Sequence, residues 1–471
     1  MLRDGLNQAS IVFAIVLLFL FAITSFSQSL DISQKWTNPT KAVSSCASSD
    51  TITGVTGKLF EAKVIRTFPP SSFLLSGPSS SLRKRSPPSV PKGPRCERWA
   101  VVTTIHAPGD AILDLANGRD GWCLVVVGDE KTPEYNLPPA TAVFLDVDRQ
   151  KAMLEDFGEF MELLPWRHFG RKNVGFLYAI QMGASFVWDF DDDNGRRNGA
   201  ELRPPTTARK VVPRGGGQGG EGHKGGDGNS TSVQFQSPCA AFNPYPLMGA
   251  PSSPSWPRGF PLSLIKKPCN VELAAADEES VKNIGVFQSL ANHEPDVDGI
   301  FRLTLPIPFK WDESAQDTLV LPPGVLAPYN AQAQLSMRGA LWALLLPVSV
   351  HGRVSDIWRA YFAQRLLWDV GLRLAFTPPR VTQVRNVHDA LADMQAERDL
   401  YEKSFALVKF LRVWRGKGDS LPERYEELYV ALYERDFIGL ADVLLAQQWL
   451  LALKRLGYEF PSIVSGSGDW M

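Results

Sequence analysis

The most regular pattern of apolar and polar positions in this chain is a series of short β-branched runs separated by helix-length segments. WAVVTTI (99–105), WCLVVVGD (122–129) and TAVFLD (141–146) are almost continuously apolar. That is how strands buried on both faces of a parallel sheet read. RKNVGFLYAIQMGA (171–184) has helical character, with Asn173 placed as an N-cap. SFVWDFDDD (185–193) closes the series as a strand. Strand and helix alternating at this spacing predict an α/β unit with right-handed crossovers.

The flanks follow other patterns. Residues 9–26 (ASIVFAIVLLFLFAITSF) carry no charge, and a membrane-spanning helix needs ~20 such residues, roughly 17 at the low end. Residues 1–26 are therefore expected to be a cytoplasmic tip and signal anchor, with a cleaved signal peptide ending near Ser25-Phe26-Ser27 as the alternative. Residues 27–94 are rich in Ser, Pro, Thr and Lys and read as a flexible stem. Residues 95–385 form the main domain, interrupted by a glycine-rich insertion at 195–237 that is expected to be disordered. Residues 386–471 carry helical periodicity in two stretches, 389–414 and 422–456, and are expected to form a C-terminal helical lobe.

Composition narrows the functional classes. At 471 residues the chain is long enough for about two or three units at ~150 residues each, and 44% hydrophobic content with 13 tryptophans can fill a large core. The formal net charge of -1 gives no bulk electrostatic case for nucleic acid. The five cysteines (Cys46, Cys96, Cys123, Cys239, Cys269) lack C-x-x-C spacing, which argues against a zinc site. Their pairing cannot be read from spacing, and an odd number leaves one thiol over. Asn229-Ser230-Thr231 is a glycosylation sequon if this part of the chain enters the secretory pathway.

The candidate chemistry lies at the strand ends, where ligands bind in open α/β sheets. Asp191 and Asp193 are one residue apart and are expected on one strand face, as ligands of a hard divalent cation, Mn²⁺ or Mg²⁺. The bland reading of the same cluster is a solvated acidic turn. Asp189 reads as structural. Asp110 and Asp129, at two other predicted strand ends, are candidates for base or ribose contacts. Arg171 and Lys172 stand at a helix start, a setting that suits an anion. Asp356, ahead of IWRAYFAQRLLWD, is the candidate general base. Arg365 is placed either to clamp a phosphate or to pair with Asp369 at helical spacing. His351 reads as structural, and Trp256-Pro257-Arg258-Gly259 as a sugar-stacking loop or a rigid turn.

With these residues in view, RKNVGFLYAIQMGASFVWDFDDDN resembles the arginine–helix–D-x-D core of nucleotide-sugar glycosyltransferases of the GT-A fold. The blocks WAVVTTI, LVVVGDEKTP, DFDDDN, FNPYPLMG, WPRGFPL, PDVDGIFRLT, LWALLLPVSV and DIWRAYFAQRLLWD, in that order, are similar to one group, the STELLO-type glycosyltransferases. The resemblance implies a GT-A-like sheet, a nucleotide-sugar donor, a glycan or glycoprotein acceptor and a Golgi type II topology. In plants it also implies a link to assembly or trafficking of a polysaccharide synthase complex. Under it, Asp191 and Asp193 hold the metal, Arg171 faces the diphosphate, and developing charge on the leaving group is stabilised electrostatically. The glycine-rich insertion directly after the acids departs from the group's pattern. Two other readings stand beside this one. A catalytically silent scaffold of the same fold would keep the acids for binding alone, and a metal-dependent nucleotidyltransferase would need a Gly-rich phosphate loop that the chain lacks.

Overall fold

The computed structural model describes residues 66–69, 72–75, 93–197, 200–214, 239–267, 269–385 and 389–464, with two further short paired strands, Ile52–Thr53 and Leu59–Phe60. The expected anchor at 9–26 and the sequon at Asn229 lie outside these residues. Among the described residues no helix is long and apolar enough to cross a membrane.

The predicted alternation is present. β1 (Arg98–Thr103), α1 (Asp110–Ala116), β2 (Trp122–Val127), β3 (Ala142–Leu145), α2 (Val147–Ala152), α3 (Leu154–Glu162), α4 (Lys172–Gln181) and β4 (Phe186–Phe190) follow in order. The strands align in parallel as β3-β2-β1-β4. All six residues of β2 are buried, which is the physical origin of its unbroken apolar run. Successive residues of β1 serve opposite faces: Trp99 and Val101 join one core cluster, Ala100 and Val102 the other. α4 lies close on β1 and β2 because Gly175 faces them, and a Cβ there would come within 2.7 Å of both Val101 and Val127.

Beyond β4 the sheet becomes mixed. β5 (Asn194–Arg196), β6 (Arg209–Pro213), β7 (Val271–Ala275), α5 (Glu278–Lys282), β8 (Ile284–His293), α6 (Gly299–Thr304), β9 (Leu319–Val320), β10 (Ala333–Met337), α7 (Gly352–Asp369) and β11 (Arg373–Gln383) complete it. The order continues β4-β10-β8-β11-β9-β6-β7, with β5 on β11, eleven strands in all. β10 runs antiparallel to both β4 and β8, whereas β8 and β11 are parallel.

α8 (Ala390–Ala396), α9 (Arg398–Val413), α10 (Leu421–Glu434) and α11 (Leu440–Arg455) form the expected helical region. α9, α10 and α11 share the core cluster of α4 and α7 rather than a separate interior. α10 starts at a Ser420/Glu423 capping box.

Two expectations change here, and one open question closes. Strand residues 195–196 and 209–213 fall within the stretch expected as a disordered insertion, of which 198–199 and 215–237 lie outside the described residues. Part of the expected flexible stem is docked: the backbone N–H groups of Leu74 and Leu75 donate to buried Glu426 at 2.7 and 3.1 Å. Phe68 is also buried, in edge contact with Phe73 and Tyr433. Finally, Cys96 pairs with Cys123 and Cys239 with Cys269, pairings that join residues 27 and 30 positions apart and depend on the fold.

Candidate functional site

A cavity of about 470 Å³ opens at the carboxyl ends of the parallel strands, where a doubly wound sheet places its ligands. The residues following β1 (Thr104, His106), Asp129 after β2, and Asp191, Asp192 and Asp193 after β4 face it. The acids do not alternate along a strand as expected. β4 ends at Phe190, and the next three residues form a turn closed by the Asn194 N–H donating to the Asp191 carbonyl at 3.1 Å. The turn, not a strand face, brings all three carboxylates to one cavity.

Their partners differentiate them. Asp189, still within β4, has no exposed surface. It binds Lys172 Nζ at 2.6 Å and Arg359 at 2.8 Å, as its structural reading required. Lys172 is itself fully buried and donates to the Phe190 and Ala331 carbonyls, reaching Asp191 Oδ1 at 3.3 Å. Burial alone would lower the lysine, but Asp189 and Asp191 hold it above its ordinary value. Asp192 accepts the Thr104 hydroxyl. Asp193 Oδ2 accepts Gln383 Nε2 at 3.0 Å, while its Oδ1 is buried with no hydrogen-bond partner among the described residues. Burial pushes Asp191 up to about 7 against the pull of Lys172, and Asp193, Asp189 and Asp192 push the same way. Burial also raises Asp193, opposed by the hydrogen bond from Gln383.

These features suit a divalent cation. An orphaned carboxylate oxygen and a second carboxylate driven towards protonation are what a bound cation would relieve. Magnesium-like ions take one or two carboxylates and complete their shell with water and phosphate oxygen. Among the described residues no three His, Cys, Asp or Glu side chains are grouped to hold a metal by themselves.

The opposite wall is built around Arg258, which the sequence reading placed only in a stacking loop or rigid turn, and around Arg353 and Arg385, which it did not select. Arg258 donates from Nε to Asp296 at 2.7 Å and from Nη2 to Asp356 at 2.7 Å. Arg353 binds Glu397 and lies 3.4 Å from Asp393. Arg385 binds Asp393 at 2.7 Å. Burial pushes Arg385 down to about 10, with Arg302 and Arg353 adding repulsion and Asp393 and Asp296 opposing it. It is the cation on this wall that an incoming anion would stabilise most directly. On the other lip stand Lys131, Arg167 and His168. Burial holds His168 below its ordinary value, against the Val350 carbonyl.

Of the expected site residues, the cavity gathers Asp129, Asp191 and Asp193. Asp129 accepts the N–H groups of Glu130 at 2.7 Å and His168 at 3.3 Å. Asp110 is exposed at the start of α1, in a separate depression with Asp114 and Arg119. Arg171 does not face the cavity. It ends a 3₁₀ turn, Phe169–Arg171, that turns its guanidinium back onto Gln150, the Leu164 carbonyl and the Trp166 ring 3.9 Å away. Asn173 is not the cap of α4. It is buried in the first turn, where its amide exchanges two 2.8 Å hydrogen bonds with the Leu346 backbone. Asp356 is unsuited to be a free base: both oxygens are bound by Arg258, and the backbone N–H groups of Ala331 and Ile357 also donate to it. Arg365 is buried on Asp369 at 2.7 Å and is not a phosphate clamp. His351 caps α7 through the Arg353 N–H. Trp256 is buried and donates to Asp298 at 2.6 Å, so it offers no face to a sugar.

Arg258 and Asp296 sit inside the segments WPRGFPL and PDVDGIFRLT, so a local signal for them existed. Gln332, Gln383 and Arg385 carry none, because only strand pairing brings them to the acid turn.

Over residues 353–469 the chain matches the model of the STELLO glycosyltransferases, a segment that includes α7, β11 and the C-terminal helices. It is 30% identical to the Arabidopsis thaliana protein named "Probable glycosyltransferase STELLO2" over 388 residues, 79% of this chain and 46% of that protein. It is also 30% identical to "Probable glycosyltransferase STELLO1" of the same plant over 386 residues, 78% of this chain and 46% of that one. The chain thus spans about half the length of the curated relatives it matches.

Proposed function

We propose that this chain, whose kinship is with the STELLO glycosyltransferases, binds a nucleotide-sugar donor in the cavity beyond β1, β2 and β4 and transfers the sugar to a glycan or glycoprotein acceptor. The observation that carries the reading is the acid turn. Of three consecutive carboxylates on the cavity, Asp192 is taken by Thr104, whereas Asp193 keeps a buried oxygen without a partner. Asp191 and Asp193 would hold Mn²⁺ or Mg²⁺. When bound, that ion would supply charge neutralisation for the departing diphosphate.

The protein's own part is positioning. Lys172, locked by Asp189, fixes Asp191 from behind. Asp129 and the β1 end offer polar contacts for the nucleoside. The role expected of Arg171 passes to Arg385 and Lys131, which do line the cavity. Arg258, paired with both Asp296 and Asp356, shapes the acceptor side without offering a free cation. The Golgi placement with a membrane anchor at 9–26 belongs to the same proposal and rests on the resemblance. Asp356, the candidate base, is consumed by Arg258, and this favours a second reading in which the chain binds donor without turnover and serves as a scaffold for a polysaccharide synthase complex. Calorimetry with nucleoside diphosphates, with and without Mn²⁺, followed by hydrolysis and transfer assays with the matching nucleotide sugars, tests both. Metal-dependent binding with transfer supports the enzyme, metal-dependent binding alone the scaffold, and no binding overturns both.

A further inference from the structure

Behind the acid turn lies a continuous chain of buried carboxamides. Gln383 donates to Asp193 Oδ2 at 3.0 Å and accepts from Gln332 Nε2. Gln332 Oε1 accepts from Asn330 Nδ2 at 3.1 Å, and the same nitrogen donates to Asp296 Oδ2 at 2.7 Å. Asn330 Oδ1 in turn accepts from Gln288 at 2.9 Å. All four amides are at most 8% exposed. The run Gln383–Gln332–Asn330 has a carboxylate at each end, Asp193 and Asp296, so each end must present an N–H, and the direction of every amide between them is thereby fixed.

The register of the sheet builds this chain. Asn194 lies opposite Gln383 in the antiparallel β5–β11 pair, and Asn194 in turn binds the Gln332 carbonyl at 2.7 Å and accepts from Gln332 Nε2 at 3.2 Å. A slip of one residue would turn Gln383 to the other face.

We propose that Gln383, oriented through Gln332 and Asn330, is the positioning residue of the cation site. By occupying Oδ2 of Asp193 it leaves Oδ1, which has no hydrogen-bond partner among the described residues, as the oxygen for the ion. This rests on the reading of the acid turn as a cation site and assigns its metal affinity to a residue that is not a ligand: the Gln383 carbonyl oxygen is already taken by Gln332. Partners that orient a ligand in this way are generally worth 10–100-fold in affinity.

The test is Mn²⁺ binding to the full chain, followed by the electron paramagnetic resonance of free Mn²⁺, alone and with a nucleoside diphosphate. Gln383→Leu should bind Mn²⁺ at least ~10-fold more weakly. Gln332→Leu, which does not touch Asp193, should give a smaller loss in the same direction. Gln383→Asn, too short to span both partners, should fall between Gln383→Leu and the native chain, and it carries the test if the leucine variant does not fold. Native Mn²⁺ affinity in a folded Gln383 variant overturns the positioning role and leaves the cation site standing. Absence of Mn²⁺ binding to the unaltered chain overturns both.

Discussion

The two walls of the cavity hold similar residues and treat them oppositely. On the side of Arg258, Asp296, Asp356, Arg353 and Glu397, each charge meets an opposite charge at hydrogen-bond distance. On the acid-turn side, three carboxylates share Thr104, Gln383 and one 3.3 Å contact to Lys172. Desolvated charge is tolerated in the first case because it is paired. In the second it is left uncompensated, and an uncompensated charge is what a ligand can use. The contrast recurs within β4 itself, where Asp189, two residues before Asp191, is fully neutralised by Lys172 and Arg359.

Substitutions can break that comparison at each point. The largest effect is expected at Asp189→Asn. It leaves Lys172 and Arg359 buried with half their compensation, and removing one partner of a buried pair costs ~3–5 kcal/mol. Urea titration should show that loss. A variant as stable as the parent would mean that the pair is not what secures β4. Next is Asp356→Asn, where Arg258 keeps Asp296, so a loss of ~1.5–3 kcal/mol is expected. If Asp356 were the base instead, transfer would vanish while stability stayed unchanged.

A smaller effect concerns acid. Burial pushes Asp298 up to about 6, against the Phe301 N–H and the Trp256 indole that bind it. The unfolded chain ionises it near the ordinary value, so between pH ~4 and ~6 the unfolded state binds fewer protons than the folded one, and stability falls as pH rises. This contribution is fully present below pH ~4 and lost above ~6. The difference in thermal midpoint between the parent and Asp298→Asn should slope across that window and be flat above it.

The smallest effect on folding is expected at the acid turn. Asp191→Asn and Asp193→Asn should leave folding intact or raise stability by relieving like-charge repulsion. The same changes should remove metal-dependent nucleotide binding by calorimetry. Unaltered nucleotide affinity in both would return the cluster to a solvated turn.

Much of this was legible along the chain. The parallel half of the sheet declared itself because strands buried on both faces must be apolar throughout, and the helices of the C-terminal region through their periodicity. The acids were visible because four carboxylates among five residues, Asp189 to Asp193, are unusual after an apolar run. That Asp189 lies inside the strand and Asp191 and Asp193 beyond its end was not legible, because the apolar run and the acids read as one strand over 185–193. Sequence alone could not decide which way a side chain points at the end of an element. Arg171 and Asp356 have the right residue types beside the right elements, yet a 3₁₀ turn rotates one onto Gln150 and Trp166, and Arg258 claims the other. Gln332, Gln383 and Arg385 join the site only through β10 and β11, roughly 140 to 190 positions from the acids. Local pattern determines secondary structure because it reflects burial along one element. Which polar groups meet in a cavity depends on strand register and helix rotation, and these are set by packing between segments far apart in the chain.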